Sequence, residues 1–339
     1  MTRRVLTAAE IESLAAAALR AHGAGEAQSL ALAAGIAAAE RDGMRSHGLM
    51  YLPVYCEHLT CGKVIGGAEP VLSRPAAASF VADARSGFAH AAVNLGLPAL
   101  IAAAKTSGIA SLAVRNSYNC GVLGYHTERI AAAGLVGLGF TNAPASIAPW
   151  GARRPVLGTN PWSLAVPDGQ GGARLVIDQS ASVVAKSEVM KRARAGEPIP
   201  DGWALDAEGR PTNDPAAALQ GTMVPAGGYK GVGSALLVEV FAACLAGATP
   251  GVAASPFSGT AGGPPRTGQF FIAVAPDVSS GGAFADRLET VVTAFGAETG
   301  GRLPGSRRQA ARARNDAAGI DVDAATLATL LRLAGGTRK

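Results

Sequence analysis

E-R-D-G-M-R-S-H-G, residues 40–48, sets a histidine between a hydroxyl and a glycine at the end of an alanine-rich helical run. An imidazole titrates at roughly 6.5, so His47 can give or take a proton near neutrality. Gly48 has no β-carbon, which lets a ligand or a second backbone come close beside it. Taken alone, the segment also reads as a helix end carrying a satisfied structural histidine. Two further blocks rich in Gly and Asn add weight: Asn116–Gly124, and Gly158-Thr-Asn-Pro161.

Working outward, Thr7-Ala-Ala-Glu10 is a capping box, and Ile11–Leu19 follows as a helix. The spacing predicts helices over Glu26–Arg41 and Tyr51–Thr60, a strand over Ser79–Asp83, a helix over Ala91–Thr106 and a strand over Ile109–Arg115. Beyond the turn at 116–124 a helix is expected over Tyr125–Ala133, then buried strands over Leu135–Thr141 and Arg174–Asp178. Glu197–Pro215 reads as a surface linker. A buried helix over Gly233–Leu245, a strand over Gln269–Ala275, a helix over Ala283–Phe295 and an Asp-capped helix over Asp323–Leu333 complete an α/β layering.

The 339 residues exceed one average domain, so one large or two interleaved domains are expected. No apolar run is long enough to span a bilayer, and the N-terminus lacks a signal-peptide core. Cys56, Cys61, Cys120 and Cys244 show no CxxC spacing, which argues against a zinc site or disulfide framework and for a cytoplasmic protein. The net charge of +5 is mild, and no basic stripe with interleaved aromatics suggests nucleic acid. Five arginines do cluster within Arg302–Arg314. They suit either a phosphate-bearing cofactor or a solvated helix face.

No G-x-G-x-x-G opens a strand here, so the usual dinucleotide fingerprint is missing. Gly121-Val-Leu-Gly124 is a weaker relative of it, a turn before a helix whose N–H groups could hold a phosphate. Six ordered segments nonetheless carry a resemblance: R-D-G-M-R-S-H-G (41–48), V-R-N-S-Y-N-C-G-V-L-G-Y (114–125), T-N-A-P-A-S-I-A-P-W-G (141–151), G-T-N-P (158–161), I-D-Q-S-A-S (177–182) and G-G-Y-K-G (227–231). From end to end the chain resembles the type-2 malate/L-lactate dehydrogenase family. The resemblance implies a non-Rossmann α/β fold, with a helical substrate domain (1–115, completed by 300–339) and a mixed-sheet NAD(P)-binding domain (116–299). It also implies a homodimer with the active site in the cleft between the domains. His47 falls on the family's acid/base with Ser46 beside it. Cys120, Gly121, Val122, Leu123, Gly124, Thr141, Asn142, Gly158, Thr159, Asn160, Asp178, Lys230, Arg302, Arg307 and Arg308 fall on segments that approach the cofactor. For Asp178 a buried cap is an equal alternative. The basic cluster suits a 2′-phosphate, so NADP(H) is favoured over NAD(H).

Three positions depart from the family's commonest pattern. Tyr51 stands where an arginine clamps the substrate carboxylate, and Asn119 where many members have histidine. Glu188 stands where hydroxy-acid dehydrogenases usually carry lysine, with Lys186 two residues earlier. Members that reduce cyclic imino acids also carry an acid at this place and share the T-G-Q of Thr267–Gln269. A carboxylate there would stabilise a protonated iminium. The competing reading makes Glu188 a surface residue paired with Lys186 or Arg192. Three functions follow: a cyclic imino-acid reductase, a 2-hydroxy-acid dehydrogenase, and a non-catalytic binding paralogue.

Overall fold

The computed structural model describes residues 4–335. Residues 1–3 of the N-terminal stretch read above, and the last four residues, lie outside the described part. The chain opens with β1 (Arg4–Leu6), α1 (Ala8–Ala21) and α2 (Glu26–Arg41), a 3-10 turn at Arg45–His47, and α3 (Leu52–Thr60). Next come β2 (Val71–Ala76), β3 (Ser79–Asp83), α4 (Ala89–Ser107), β4 (Ile109–Ser117), α5 (Leu123–Ala132), β5 (Val136–Thr141), β6 (Trp162–Pro167) and β7 (Ala173–Gln179). They are followed by α6 (Lys186–Ala195), β8 (Ala204–Leu205), α7 (Pro215–Gln220), β9 (Thr222–Met223) and α8 (Tyr229–Glu239), which runs on into a π-type turn, Val240–Leu245. The chain closes with β10 (Thr267–Val274), α9 (Pro276–Ser280), α10 (Phe284–Ala297), α11 (Ser306–Ala318), β11 (Ile320–Val322) and α12 (Ala324–Ala334).

Seven strands form one mixed sheet in the order β2-β3-β4-β10-β5-β6-β7. Only β3 and β4 run parallel, and α4 makes the crossover that a parallel pair requires. Strand β10 shows how the sheet is covered. Phe271 and Ala273 join the core under α4, while Phe270 and Ile272 pack with Phe140, Val238 and Ala242 beneath α8 and its π turn. That is the period-2 alternation of a strand buried on both faces.

A second layer is helical. Ile11 and Leu19 of α1, Leu32 and Ile36 of α2, Leu52 and Tyr55 of α3, and Leu330 and Leu333 of α12 share one core. Helix α1 starts at the expected capping box, where Glu10 N donates to Thr7 Oγ1 (3.2 Å) and Thr7 N donates to Glu10 Oε2 (2.8 Å). The antiparallel β1–β11 pair ties the two ends of the chain together. Strands from both sides of position 115 share the large sheet, so a domain boundary at 115 would cut through its hydrogen bonds. The helical layer is instead drawn from 8–60 and the C-terminal segment.

Antiparallel pairing decides where the Gly- and Asn-rich loops meet. Thr267 pairs with Ser117 and Gln269 with Thr141, so the start of β10 lies beside the ends of β4 and β5. Phe140 pairs with Trp162, which brings 158–161 to the same edge of the sheet. The turn that carries His47 faces this edge.

Candidate active site

A cleft of about 620 Å³, including its open mouth, is lined by Ser46, His47, Tyr51, Tyr55, Asn119, Cys120, Gly121, Thr141, Asn142, Ala143, Thr159, Pro161, Ser187 and Phe257. His47 sits half-buried on the 3-10 turn after α2. Its Nδ1 is 3.0 Å from Ser46 Oγ, which leaves Nε2 for exchange with a ligand. Burial pushes the imidazole pKa below its ordinary value. Gly48 serves a purpose other than the ligand approach expected. The space its β-carbon would occupy holds the carboxylate of Glu40, which accepts from Leu49 N at 2.7 Å and pins the turn. Desolvation raises the pKa of that carboxylate.

Tyr51 is the N-cap of α3, and its hydroxyl donates to Phe257 O (3.4 Å). Asn119 is held by its amide oxygen, which accepts from Tyr55 Oη (3.0 Å) and Gly121 N (3.2 Å). Its Nδ2 donates to no protein group among the described residues. At the wall next to His47, Asn119 therefore presents a free amide donor and Tyr51 an uncharged phenol whose proton is spent on Phe257 O.

The floor divides into groups that face the cleft and groups that build it. Thr159 lines the cleft, and its hydroxyl has no protein partner among the described residues. Thr141 Oγ1 accepts from Gln269 Nε2 (3.2 Å), and Gln269 Oε1 accepts from Ser117 Oγ (2.9 Å). The T-G-Q glutamine is thus a support behind the cleft. Asn142 accepts from Gly268 N (2.8 Å) and donates to Thr249 O (2.9 Å). Asn160 accepts from Ala143 N (3.0 Å) and donates to Ala235 O (2.9 Å) and Glu239 (2.7 Å). Both side chains are spent on scaffolding rather than left free for a cofactor. Gly158 is packed against the Ala143 carbonyl. Glu239 is the hub that sequence reasoning missed: buried at the end of α8, it also accepts from Gly251 N (2.6 Å). Its only sequence signal was a lone carboxylate inside an otherwise apolar helix.

The Cys120–Gly124 turn is similarly divided. Cys120 and Gly121 line the cleft, yet Cys120 and Leu123 also pack into the core beneath α4. Val122 is the buried N-cap residue of α5. The Gly124 N–H, expected to hold a phosphate, is taken by Asp178 Oδ2 at 2.7 Å. Asp178 is thus the buried cap at the α5 N-terminus, with its pKa pushed up to about 6 by burial.

A second, larger groove adjoins the first and shares Tyr51, Ala143, Thr159, Ser187 and Phe257 with it. Lys186 and Arg194 line this groove, and neither has a carboxylate partner among the described residues. Burial lowers the Lys186 pKa. Lys186 and Ser187 stand in the first turn of α6, whose N-cap is Ala185 with no side-chain hydrogen bond. Glu188 does not line either space. Its carboxylate pairs with Lys191 (3.5 Å) and Arg192 (3.8 Å) on its own helix. The expected partnership with His47 is not formed, because one helical step beyond Ser187 turns the side chain away from the cleft.

The arginine cluster also separates. Arg308, whose side chain is only 12% exposed, approaches Glu128 (2.7 Å), Asp42 (3.3 Å) and Asp178 (3.6 Å). Arg312 makes a two-pronged contact with Asp42 (2.7 and 2.7 Å) and reaches Glu128 (2.8 Å). These two arginines tie α11 to the segment before His47 and to α5, so Arg308 is occupied by carboxylates. Arg307 is exposed on α11, and Arg302 lines a separate surface groove with Arg174 and Glu289. Lys230 is exposed in the first turn of α8. None of these three lines the His47 cleft.

A mixed sheet, without the Rossmann fingerprint, thus meets a helical layer at one edge, where His47 stands over an otherwise uncharged lining. The family model described as malate/L-lactate dehydrogenase matches residues 6–331, and the chain belongs to that family. It is 43% identical over 309 residues to a (2R)-3-sulfolactate dehydrogenase (NADP(+)) of Chromohalobacter salexigens, covering 91% of this chain and 92% of that one. It is 40% identical over 331 residues to a Delta(1)-pyrroline-2-carboxylate reductase of Ancylobacter novellus, covering 97% of each. Among solved structures, the delta1-piperideine-2-carboxylate reductase of Pseudomonas syringae superposes with a TM-score of 0.92 at 36% identity, over 97% of this chain and 99% of that one. The protein is an enzyme, an oxidoreductase.

Proposed function

We propose that the enzyme reduces the C=N bond of a small cyclic 2-imino acid, of the pyrroline- or piperideine-2-carboxylate type, with NADPH preferred over NADH. The observation that carries the reading is the lining itself. His47 is the one ionisable side chain of ordinary neutral-range pKa in a chamber walled by Tyr51, Tyr55 and Phe257. Aromatic faces and neutral donors suit a flat, cationic iminium ring. The relatives named for pyrroline- and piperideine-2-carboxylate, which match nearly the whole chain, support the same substrate class.

The residues fit a nicotinamide dinucleotide. Free donors on Asn119 and Thr159 suit a carboxamide-bearing ring, while Arg194 in the adjoining groove and the exposed Lys230, Arg302 and Arg307 outside the cleft are the cations offered to its phosphates. When bound, NAD(P)H supplies the hydride that adds to C2. His47 gives its Nε2 proton to the nitrogen of the substrate, or to the oxygen where that atom is a carbonyl. Ser46 Oγ then accepts from Nδ1–H and holds the neutral tautomer that remains. Lys186, the Ser187 hydroxyl and the α6 N-terminus receive the substrate carboxylate in place of the arginine replaced by Tyr51.

One observation favours a second reading, a 2-hydroxy-acid dehydrogenase of the malate, lactate or sulfolactate kind. Arg194 lines the same groove as Lys186, so a doubly anionic substrate would meet two cations. Oxidation of NADPH at 340 nm, compared across cyclic imino acids, pyruvate, oxaloacetate and sulfopyruvate, separates the two. Consumption with imines supports the first reading, and turnover of the oxo acids alone would establish the second. Silence with all of them would turn attention to Tyr51 and to substrates lacking a carboxylate.

A homodimer is part of the proposal. Leu236, Leu237, Val240 and Leu245 form an exposed apolar face along α8 and its π turn, suited to a second copy. Light scattering would test it. A cytoplasmic location fits four free cysteines and the absence, among the described residues, of a helix long and apolar enough to cross a membrane.

A further inference from the structure

Between the π turn after α8 and β10 the chain is irregular, and four successive carbonyls of this segment are engaged from one side. Lys63 Nζ donates to Pro256 O (2.6 Å) and Ser258 O (3.5 Å). Tyr51 Oη donates to Phe257 O (3.4 Å). His58 Nε2 lies 3.0 Å from Gly259 O. All three side chains come from α3, its N-cap and the loop after it, while residues 256, 258 and 259 are themselves exposed.

Lys63 and His58 are both fully buried. No carboxylate lies within ion-pair distance of Lys63 among the described residues. A buried ammonium without a counter-ion persists only if its N–H groups find acceptors. Here the acceptors are the carbonyls of the segment. A carbonyl can only accept, so His58 carries its proton on Nε2, and its Nδ1 accepts a hydrogen bond from the Tyr118 hydroxyl. The Tyr118 ring in turn packs on the Phe257 ring at 5.1 Å between centroids. Phe257 is the half-buried member of the run, and it lines both the His47 chamber and the groove of Lys186.

We infer that Lys63 and His58 are positioning residues that fix Phe257 as the specificity-determining wall of the cleft. Pinning by carbonyls holds the backbone irrespective of the side chains at 256, 258 and 259. It sets the Phe257 ring across the passage between the two spaces. The wall limits what extends beyond C2 to a small ring or a short chain. The inference rests on the substrate reading proposed above.

The test is a mutant cycle of Lys63→Met, Phe257→Ala and the double variant, with Lys63→Arg as rescue. The readout is kcat/KM for a six-membered cyclic imino acid against one bearing a bulky ring substituent. Phe257→Ala should shift the ratio at least tenfold towards the bulky substrate. Lys63→Met should shift it the same way, mainly through KM, add little in the Phe257→Ala background, and be restored by Lys63→Arg. Fully additive effects, or a uniform fall in kcat on both substrates, would overturn the inference. Limited cleavage by chymotrypsin after Phe257 needs no substrate. It should be at least tenfold faster in Lys63→Met, and an unchanged rate would count equally against the clamp. If the wild type reduces neither imine, the substrate reading fails while cleavage still decides the clamp. Where Lys63→Met does not fold, His58→Leu takes its place in the same cycle.

Discussion

The two ends of the R-D-G-M-R-S-H-G segment meet opposite environments. Asp42 sits in a network in which Arg308, Arg312, Glu128 and Asp178 neutralise one another. Five residues on, His47 stands in a chamber whose walls are tyrosines, amides, hydroxyls and a phenylalanine. Charge density is therefore a poor guide to the chemistry of this chain. The charged end holds the turn in place, and the uncharged end leaves one group free to change its protonation state.

The largest expected effect breaks the uncharged end. His47→Asn removes the proposed proton donor and should lower kcat about 10³-fold, with the thermal midpoint nearly unchanged. Activity within a few-fold of wild type would show that the proton comes from elsewhere. At the charged end, Arg308→Met leaves Asp178 without its ion-pair partner and Asp42 and Glu128 with Arg312 alone, and should cost about 1.5–3 kcal/mol of stability, read from urea midpoints. NADPH affinity should change far less. A large loss of affinity with intact stability would return Arg308 to the cofactor.

A third expectation concerns pH. Burial favours neutral His47, so its pKa lies below the ordinary value. The proposed reduction needs the protonated form, which is lost as pH rises through that pKa. The kcat/KM for reduction should therefore fall with rising pH, about tenfold per unit in the limiting limb, with its midpoint below the pH typical of an exposed histidine. A midpoint above that pH would mean that an anion near His47 outweighs its burial. The smallest effect sharpens the contrast at α6. Glu188→Gln removes only pairs on the helix surface and should change kcat/KM by no more than about twofold. A hundredfold loss would restore Glu188 as a group that polarises the substrate.

Strongly patterned elements were legible in the sequence. The capping box of α1, the apolar stripes of α2 and α3, and the buried strands β4, β5 and β10 all lie close to where periodicity predicts them. Others were not. Strand β2 is an exposed edge strand containing Pro75, and β6 follows directly from the G-T-N-P loop, so neither shows a clean boundary. Helix α11 buries only Ala311 and is anchored by ion pairs, so its arginines resemble a ligand site when viewed as a string. Helix α6 buries only Val189.

By itself the sequence determined the family, the alternating helices and strands, and His47 beside Ser46, because local spacing and residue type suffice for those. Only the tertiary structure decided which polar residues remain free. Asn142, Asn160, Asp178 and Arg308 look like ligand contacts in the chain and are consumed by Gly268, Glu239, Gly124 and Glu128 in the fold. Asn119, Thr159 and Lys186 keep unused donors at the cleft. The reason is physical. A buried polar group must be satisfied, and its partner, often a hundred residues distant in the chain, is chosen by the packing of the sheet rather than by neighbouring sequence.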